Sequence, residues 1–106
     1  MLVGLDPTRG HEQRGTRPCV IVSHADVTAD QRFPLVAVVP VSAAAGEGAF
    51  YPPLAPGRSG LRKTSYALVD QIRSVDKRRI TRAFGKLSAE EAAAIDEGLR
   101  LFLGLG

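Results

Sequence analysis

The sequence predicts a small, mainly β domain of the α+β kind: a partly open barrel with an amphipathic helix at its C-terminal end. Three observations predict it. Short β-branched runs, Cys19–Val22 and Leu35–Val41, have strand length rather than helix length. Turn-forming Pro and Gly residues punctuate the chain between them. A single strong helical signal follows Ser88.

The elements follow in order. Met1–Leu5 reads as a short strand or the tail of one. Asp6-Pro7-Thr8-Arg9-Gly10 is a turn, with Pro fixing one φ and Gly free to take a positive one. His11–Thr16 is a polar loop, and Cys19–Val22 a buried strand. Ser23–Phe33 is polar and loop-like, and His24 reads there as a plain loop residue. Leu35–Val41 is a second buried strand. Pro40 cannot donate to a ladder, so this strand is expected to end, bulge or lie at an edge there. Ser42–Gly48 is a mobile small-residue stretch. Phe50–Leu54 is a short strand interrupted by Pro52 and Pro53, and Pro56-Gly57-Arg58-Ser59-Gly60 is another turn. Ser65–Ile72 alternates and is rich in β formers, so it reads as one strand. In Ser88-Ala89-Glu90-Glu91, Ser88 is the N-cap and Glu91 the reciprocal partner of a capping box, with Leu87 and Ala92 at staple positions. Ala92, Ile95, Leu99, Phe102 and Leu103 form one helical stripe, and Gly104 ends the helix. Four or five strands followed by one covering helix are expected.

The 106 residues are the length of a single domain, 1–106, with 44% apolar and 24% charged residues. Cys19 is the one cysteine, so no intrachain disulfide forms, which suits a reducing cytoplasm. Two histidines and one cysteine, widely spaced, do not build a zinc site of the usual kind. No metal or cofactor is expected. The longest strictly apolar run, Leu35–Val41, is far short of a membrane span, and the start lacks the pattern of a secretory signal. Charge is unevenly placed. Arg58–Lys86 holds nine basic and two acidic residues; the rest of the chain holds five basic and nine acidic ones. Such asymmetry points to a polyanionic partner, with a solvated basic surface as the plain alternative.

Three ordered motifs, Leu5–Pro18, Val39–Ser42 and Val69–Ile80, together resemble the MazF/PemK family of toxins. Leu5-Asp6-Pro7-Thr8-Arg9-Gly10-His11-Glu12-Gln13-Arg14-Gly15-Thr16-Arg17-Pro18 resembles the family's first signature and precedes an apolar strand ending in Ser23. Val39-Pro40-Val41-Ser42 resembles its second strand. Val69-Asp70-Gln71-Ile72-Arg73-Ser74-Val75-Asp76-Lys77-Arg78-Arg79-Ile80 resembles its third signature. The helix also lies where the family has one, so the resemblance covers nearly the whole chain, and the His-Glu-Gln and Gly-Thr-Arg-Pro spelling leans toward the PemK (Kid) branch. The resemblance implies an SH3-like, CcdB/MazF-type barrel that forms a homodimer. It implies a toxin–antitoxin system whose toxin is a cytoplasmic, metal-independent endoribonuclease, an mRNA interferase. Its substrate is single-stranded RNA cut at short preferred sequences, leaving 2′,3′-cyclic phosphate and 5′-hydroxyl ends. It also implies a MazE/PemI-like antitoxin that lays a disordered acidic segment over the active groove. Two departures stand out. The chain starts at Met1, partway through the family's first strand, so that strand is expected to be short. Leu68 occupies a position where the PemK branch has Arg, so that branch's cut-site preference does not carry over.

Cutting RNA without a metal makes the 2′-hydroxyl the nucleophile. It needs a proton acceptor, a donor for the departing 5′-oxygen and positive charge for the phosphorane. Arg17 is the first candidate: Pro18 biases it to extended backbone, and a guanidinium forks onto phosphate oxygens. The structural alternative is pairing with an acidic loop residue. Ser42 closes a strand at a loop, where its hydroxyl reaches a phosphate or simply makes a turn. His11 has the free pKa that suits acid/base work, and Glu12 accepts a proton or orients Arg17; both also fit an exposed loop pair. Asp70 accepts the 2′-hydroxyl proton, reads a base edge, or pairs with Arg73. Gln71 and Arg73 are base or phosphate contacts or surface residues. Lys77, Arg78 and Arg79 attract RNA through counterion release or form a solvated turn. Phe33, Phe50 and Tyr51 stack bases or pack in the core. The rival functions are a CcdB-like topoisomerase poison and a non-catalytic RNA-binding module of the same fold. The absence of Trp and the ending Leu103-Gly104-Leu105-Gly106 argue against the first.

Overall fold

The computed structural model describes residues 2–5, 17–44 and 46–106. The strands are β1 (Leu2–Leu5), β2 (Arg17–Ile21), β3 (Leu35–Ser42), β4 (Pro53–Leu54), β5 (Ser65–Ala67), β6 (Arg73–Asp76) and β7 (Ile80–Gly85); the helices are α1 (Ala25–Ala29) and α2 (Ala89–Leu103). All pairings are antiparallel, in the order β4-β5-β3-β2-β1-β7, with β6 also on β3. The two ends of that path meet. Lys86 N–H donates to the Arg58 carbonyl over 3.3 Å. A Cβ on Gly60 would lie 2.5 Å from the Phe84 carbonyl oxygen, and one on Gly85 would strike the Arg58 and Ser59 backbone. Glycine at both positions lets the 57–61 turn reach β7 and curl the sheet into a half-barrel.

β3 is the central strand, and Pro40 sits inside it. Val22 N–H donates to the Ala37 carbonyl over 2.9 Å, so the odd residues of β3 turn their backbone groups toward β2. Even residues, Pro40 included, turn theirs to the other edge. There Val38 pairs with Arg73 of β6, while Val41 pairs with Ala67 of β5. The missing N–H therefore falls at the break between partners, and the Pro40 carbonyl still accepts from Leu68 N–H at 2.8 Å. The expectation that β3 ends, bulges or lies at an edge at Pro40 is thus corrected: the strand runs on to Ser42 and changes partner. The same break corrects the single strand read over Ser65–Ile72. It is β5, then a 3₁₀ turn at Val69–Gln71, with Ile72 leading into β6.

Both faces of the sheet bury apolar side chains. One carries Leu2, Val20, Val39, Val41, Leu54, Leu61, Ala67 and Val69 against Ile95 of α2. The other carries Val3, Cys19, Val36, Val38 and Val75. The alternation along β2 and β3 assigns each residue to a face. β6, β7 and α1 are additions to the elements read from sequence. In α1, His24 is the N-cap, with Nδ1 accepting from Asp26 N–H at 3.0 Å.

α2 has the predicted ends. Ser88 Oγ accepts from Glu91 N–H at 3.0 Å, Ser88 N–H donates to Glu91 Oε1 at 2.9 Å, and Gly104 adopts the left-handed C-cap. On the predicted stripe Ile95 is buried and Leu99 half-buried, whereas Ala92, Phe102 and Leu103 are exposed. Gly98, outside that stripe, is buried, and a Cβ there would lie 2.7 Å from the Ala49 carbonyl oxygen and 3.3 Å from Val69. The helix thus rests closely on the segment before Asp70.

Glu91 has a second task, since its Oε2 accepts from Ala55 N–H at 2.7 Å and ties α2 to the end of β4. Burial pushes the Glu91 carboxyl up, but the backbone donors of Ala55 and Ser88 outweigh it and hold the pKa below the usual glutamate value. Its stabilising contribution is therefore complete above the unfolded-state value of about 4.3. It is lost as pH falls through the lower folded-state pKa. Glu91→Ala is expected to cost about 1–3 kcal/mol in urea unfolding at neutral pH, with a smaller difference from the parent at about pH 3. An unchanged difference at the two pH values would contradict that assignment.

Candidate functional site

The site is built where β2, β3 and the 3₁₀ turn approach one another. β2 and β3 pair as Cys19–Pro40, Val20–Val39 and Ile21–Val38. The next pair, Pro18 with Val41, would need an N–H that Pro18 lacks, so the ladder stops at Cys19. Continued by two residues, this register sets Arg17 opposite Ser42. Opposed residues share a face, and here it is the face of Cys19 and Val38, away from α2. Arg17 is exposed and makes no ion pair among the described residues. Ser42 is half-buried; its hydroxyl donates to the Ala44 carbonyl and accepts from Ala44 N–H, each at 3.1 Å. That is a strand-end turn, and it fixes the hydroxyl at the edge of the face.

Asp70 lies on the 3₁₀ turn beside Pro40. The Tyr51 hydroxyl donates to its Oδ2 over 2.5 Å. Its Oδ1 is buried and has no hydrogen-bond partner among the described residues. The bond raises the Tyr51 phenol above the ordinary tyrosine pKa, with burial and the Asp70 charge adding to it. Asp70 makes no ion pair with Arg73 among the described residues. The loop that leaves Ser42 returns to this pair: a Cβ on Gly46 would touch the Tyr51 ring at 3.6 Å. Sequence reasoning offered Tyr51 only as a base-stacking or core residue. Its nearness to Asp70 depends on a contact across 19 residues, which no local spacing signals.

The basic residues divide. Arg73 and Arg79 both lie near enough to Cys19 to draw its thiol pKa down, although burial dominates and raises it. They therefore share the neighbourhood of the Arg17 face. Gln71 is exposed on the 3₁₀ turn. Lys77 is engaged elsewhere: its Nζ donates to the carbonyls of Val27 and Asp30 over 2.7 and 2.9 Å, pinning the end of α1. Arg78 forks onto Asp76, with Nη2 at 2.8 Å from Oδ2, and this hydrogen-bonded pair lowers the Asp76 pKa to about 2. His11 and Glu12 lie outside the described residues. Of the aromatic candidates, Phe50 packs on the core with Phe102 edge-on at 5.4 Å, and Phe33 is exposed beneath the Arg32 guanidinium at 6.0 Å. Among the described residues there is no group of three His, Cys, Asp or Glu able to hold a metal ion. Nor is any helix long and apolar enough to cross a membrane.

A family model described as the PemK-like, MazF-like toxin of type II toxin–antitoxin systems matches residues 1–103. The chain belongs to this family. Endoribonuclease MazF9 of Mycobacterium tuberculosis is 39% identical over 107 residues, covering 97% of this chain and 91% of the relative. Among solved structures, the M. tuberculosis toxin MazF-mt6 superposes with a TM-score of 0.81 at 19% identity, covering 99% of this chain and 97% of that one. The MazE–MazF complex from Deinococcus radiodurans gives 0.77 at 30% identity, covering 99% and 93%. The predicted half-barrel with a C-terminal helix is thus the family's fold.

Proposed function

We propose that this toxin is an endoribonuclease that cuts single-stranded mRNA in the cytoplasm and is silenced by a cognate antitoxin. The observation that carries the reading is the register that sets Arg17 opposite Ser42 on one face, together with a half-buried Asp70 whose buried Oδ1 has no partner among the described residues. Arg17 grips the scissile phosphate and stabilises the charge that develops on the phosphorane. Ser42 donates to a phosphate oxygen. Asp70 takes the 2′-hydroxyl proton; the 2′-oxygen bonds to phosphorus as the bond to the 5′-oxygen breaks. The departing oxygen gains a proton from water while Arg17 stays charged, and Asp70 passes its proton to the hydroxide so formed. The products are a 2′,3′-cyclic phosphate and a 5′-hydroxyl. Arg73, Arg79 and Gln71 line the approach for the neighbouring nucleotides. Lys77 and Arg78 act through α1 and Asp76, and His11 and Glu12 are the acid/base candidates of the first signature.

The relatives support this reading: one bears the name endoribonuclease, and another is a MazE–MazF complex. A MazE/PemI-like partner with an acidic segment suits the basic stretch Arg58–Lys86. A homodimer is part of the proposal. Leu101, Leu103 and Leu105 are 47%, 49% and 58% exposed at one end of α2, an apolar surface of the kind a second copy covers. Sedimentation at micromolar concentration is expected to give the dimer mass; a monomer would refute that part. The test of the activity is incubation of the purified protein with a long single-stranded RNA in EDTA. Discrete cuts are expected. Intact RNA would favour the non-catalytic binding module.

A further inference from the structure

We propose that Tyr51 is a positioning residue for Asp70: its phenol, bonded to Oδ2, holds in place the carboxylate that accepts the 2′-hydroxyl proton of the RNA. The inference rests on Asp70 being the proton acceptor. It starts from an imbalance within one carboxylate. Oδ2 receives the Tyr51 hydroxyl at 2.5 Å, while Oδ1 is buried and unpartnered among the described residues. A buried acceptor left unpaired is costly and uncommon, and it is tolerated where a ligand completes it.

Both members of the pair are braced from outside. Phe50 and Pro52 flank Tyr51, and their carbonyls accept from Val69 N–H and Ala67 N–H, each at 3.0 Å. Tyr51 N–H donates to the Gly48 carbonyl over 3.0 Å. Val69, the residue before Asp70, is fully buried under Gly98 of α2. The phenol and the carboxylate therefore ride on segments stitched to each other, which keeps the donor against the carboxylate.

The elements packed on the turn bring no other ionisable group to Asp70 among the described residues. β3 carries none from Leu35 to Ser42. α2 meets the turn at Gly98, while Glu91 is committed to Ser88 and Ala55, Glu97 and Arg100 pair with each other, and Glu90 and Asp96 are exposed. Arg73 follows on β6 near Cys19. Glu47 is exposed on the loop before Tyr51.

Tyr51→Phe removes one hydroxyl and keeps the ring. The expected result is a fall in kcat of about tenfold with KM little changed, because the acceptor is displaced while the phosphate contacts that hold the RNA remain. Thermal unfolding of the variant shows whether folding is preserved. Asp70→Asn separates the two claims. An inactive Asp70→Asn beside a Tyr51→Phe variant with parental kcat and KM would overturn the positioning role and leave Asp70 in place. Parental cutting by Asp70→Asn would overturn both. A third readout needs no RNA. In Asp70→Asn, absorbance titration of the two tyrosines should show one phenol ionising at lower pH than in the parent. Identical titration curves would mean that the bond does not hold in solution.

Discussion

Arg17→Ala is expected to slow RNA cutting by about 10²–10³-fold while leaving the unfolding midpoint nearly unchanged. The size comes from removing a preorganised, fully charged donor from the site where phosphorane charge develops. The small effect on folding follows from placement. Arg17 is exposed at the start of β2 and makes no ion pair among the described residues, so its loss lies within the roughly ±0.5 kcal/mol of ordinary surface changes. Arg17→Lys keeps the charge and loses the planar fork, so an intermediate rate is expected. The measurement is single-turnover cleavage of an end-labelled RNA alongside thermal unfolding. A parental rate in Arg17→Ala would trace the cutting to a contaminating nuclease and remove the basis of the proposed site.

Ile95→Ala is expected to have the largest effect on stability. Ile95 is 1% exposed and is the α2 side chain fully buried in the cluster that joins the helix to Leu2, Val20, Val39 and Leu54. Truncation there leaves a cavity that closely packed neighbours do not refill, at about 2–5 kcal/mol. For a domain of this size that corresponds to a fall in Tm on the order of 10–20 °C. Loosening α2 also frees Gly98 from Ala49 and Val69, next to Asp70 and Tyr51, so cutting should decline well below the new melting temperature. A variant that melts within a few degrees of the parent would show that the helix is not seated through Ile95.

Much of the fold was legible because its signals are local. The Ser88–Glu91 capping box and Gly104 mark both ends of α2 within a few residues, and the valines of β3 announce a strand without any partner. What was missed depends on long-range geometry or on charge. β7 lacks a clean alternation, and its arginine and its basic flanks read as an interaction surface. α1 is five residues long with no buried residue, so it has no apolar stripe to find. The break within Ser65–Ile72 is set by Pro40, which lies on another strand. The site divides in the same way. Arg17, Ser42 and Asp70 came from motif spelling, and the register then accounts for the neighbourhood of the first two. Tyr51 carries no sequence signal, since its partner is reached only after β4 and β5 have paired. Lys77, read as an RNA contact, is drawn to the end of α1, a helix that sequence reasoning did not contain.

The account turns on the RNA supplying its own nucleophile to a phosphate held by Arg17, with Asp70 as the acceptor. The most direct measurement uses a short RNA containing one mapped cut site and the same RNA with a single 2′-deoxy nucleotide immediately 5′ to the scissile phosphate. The account predicts that the all-ribose strand is cut to a 2′,3′-cyclic phosphate and that the deoxy strand stays whole even though it binds. Cutting of the deoxy strand at that bond would contradict it.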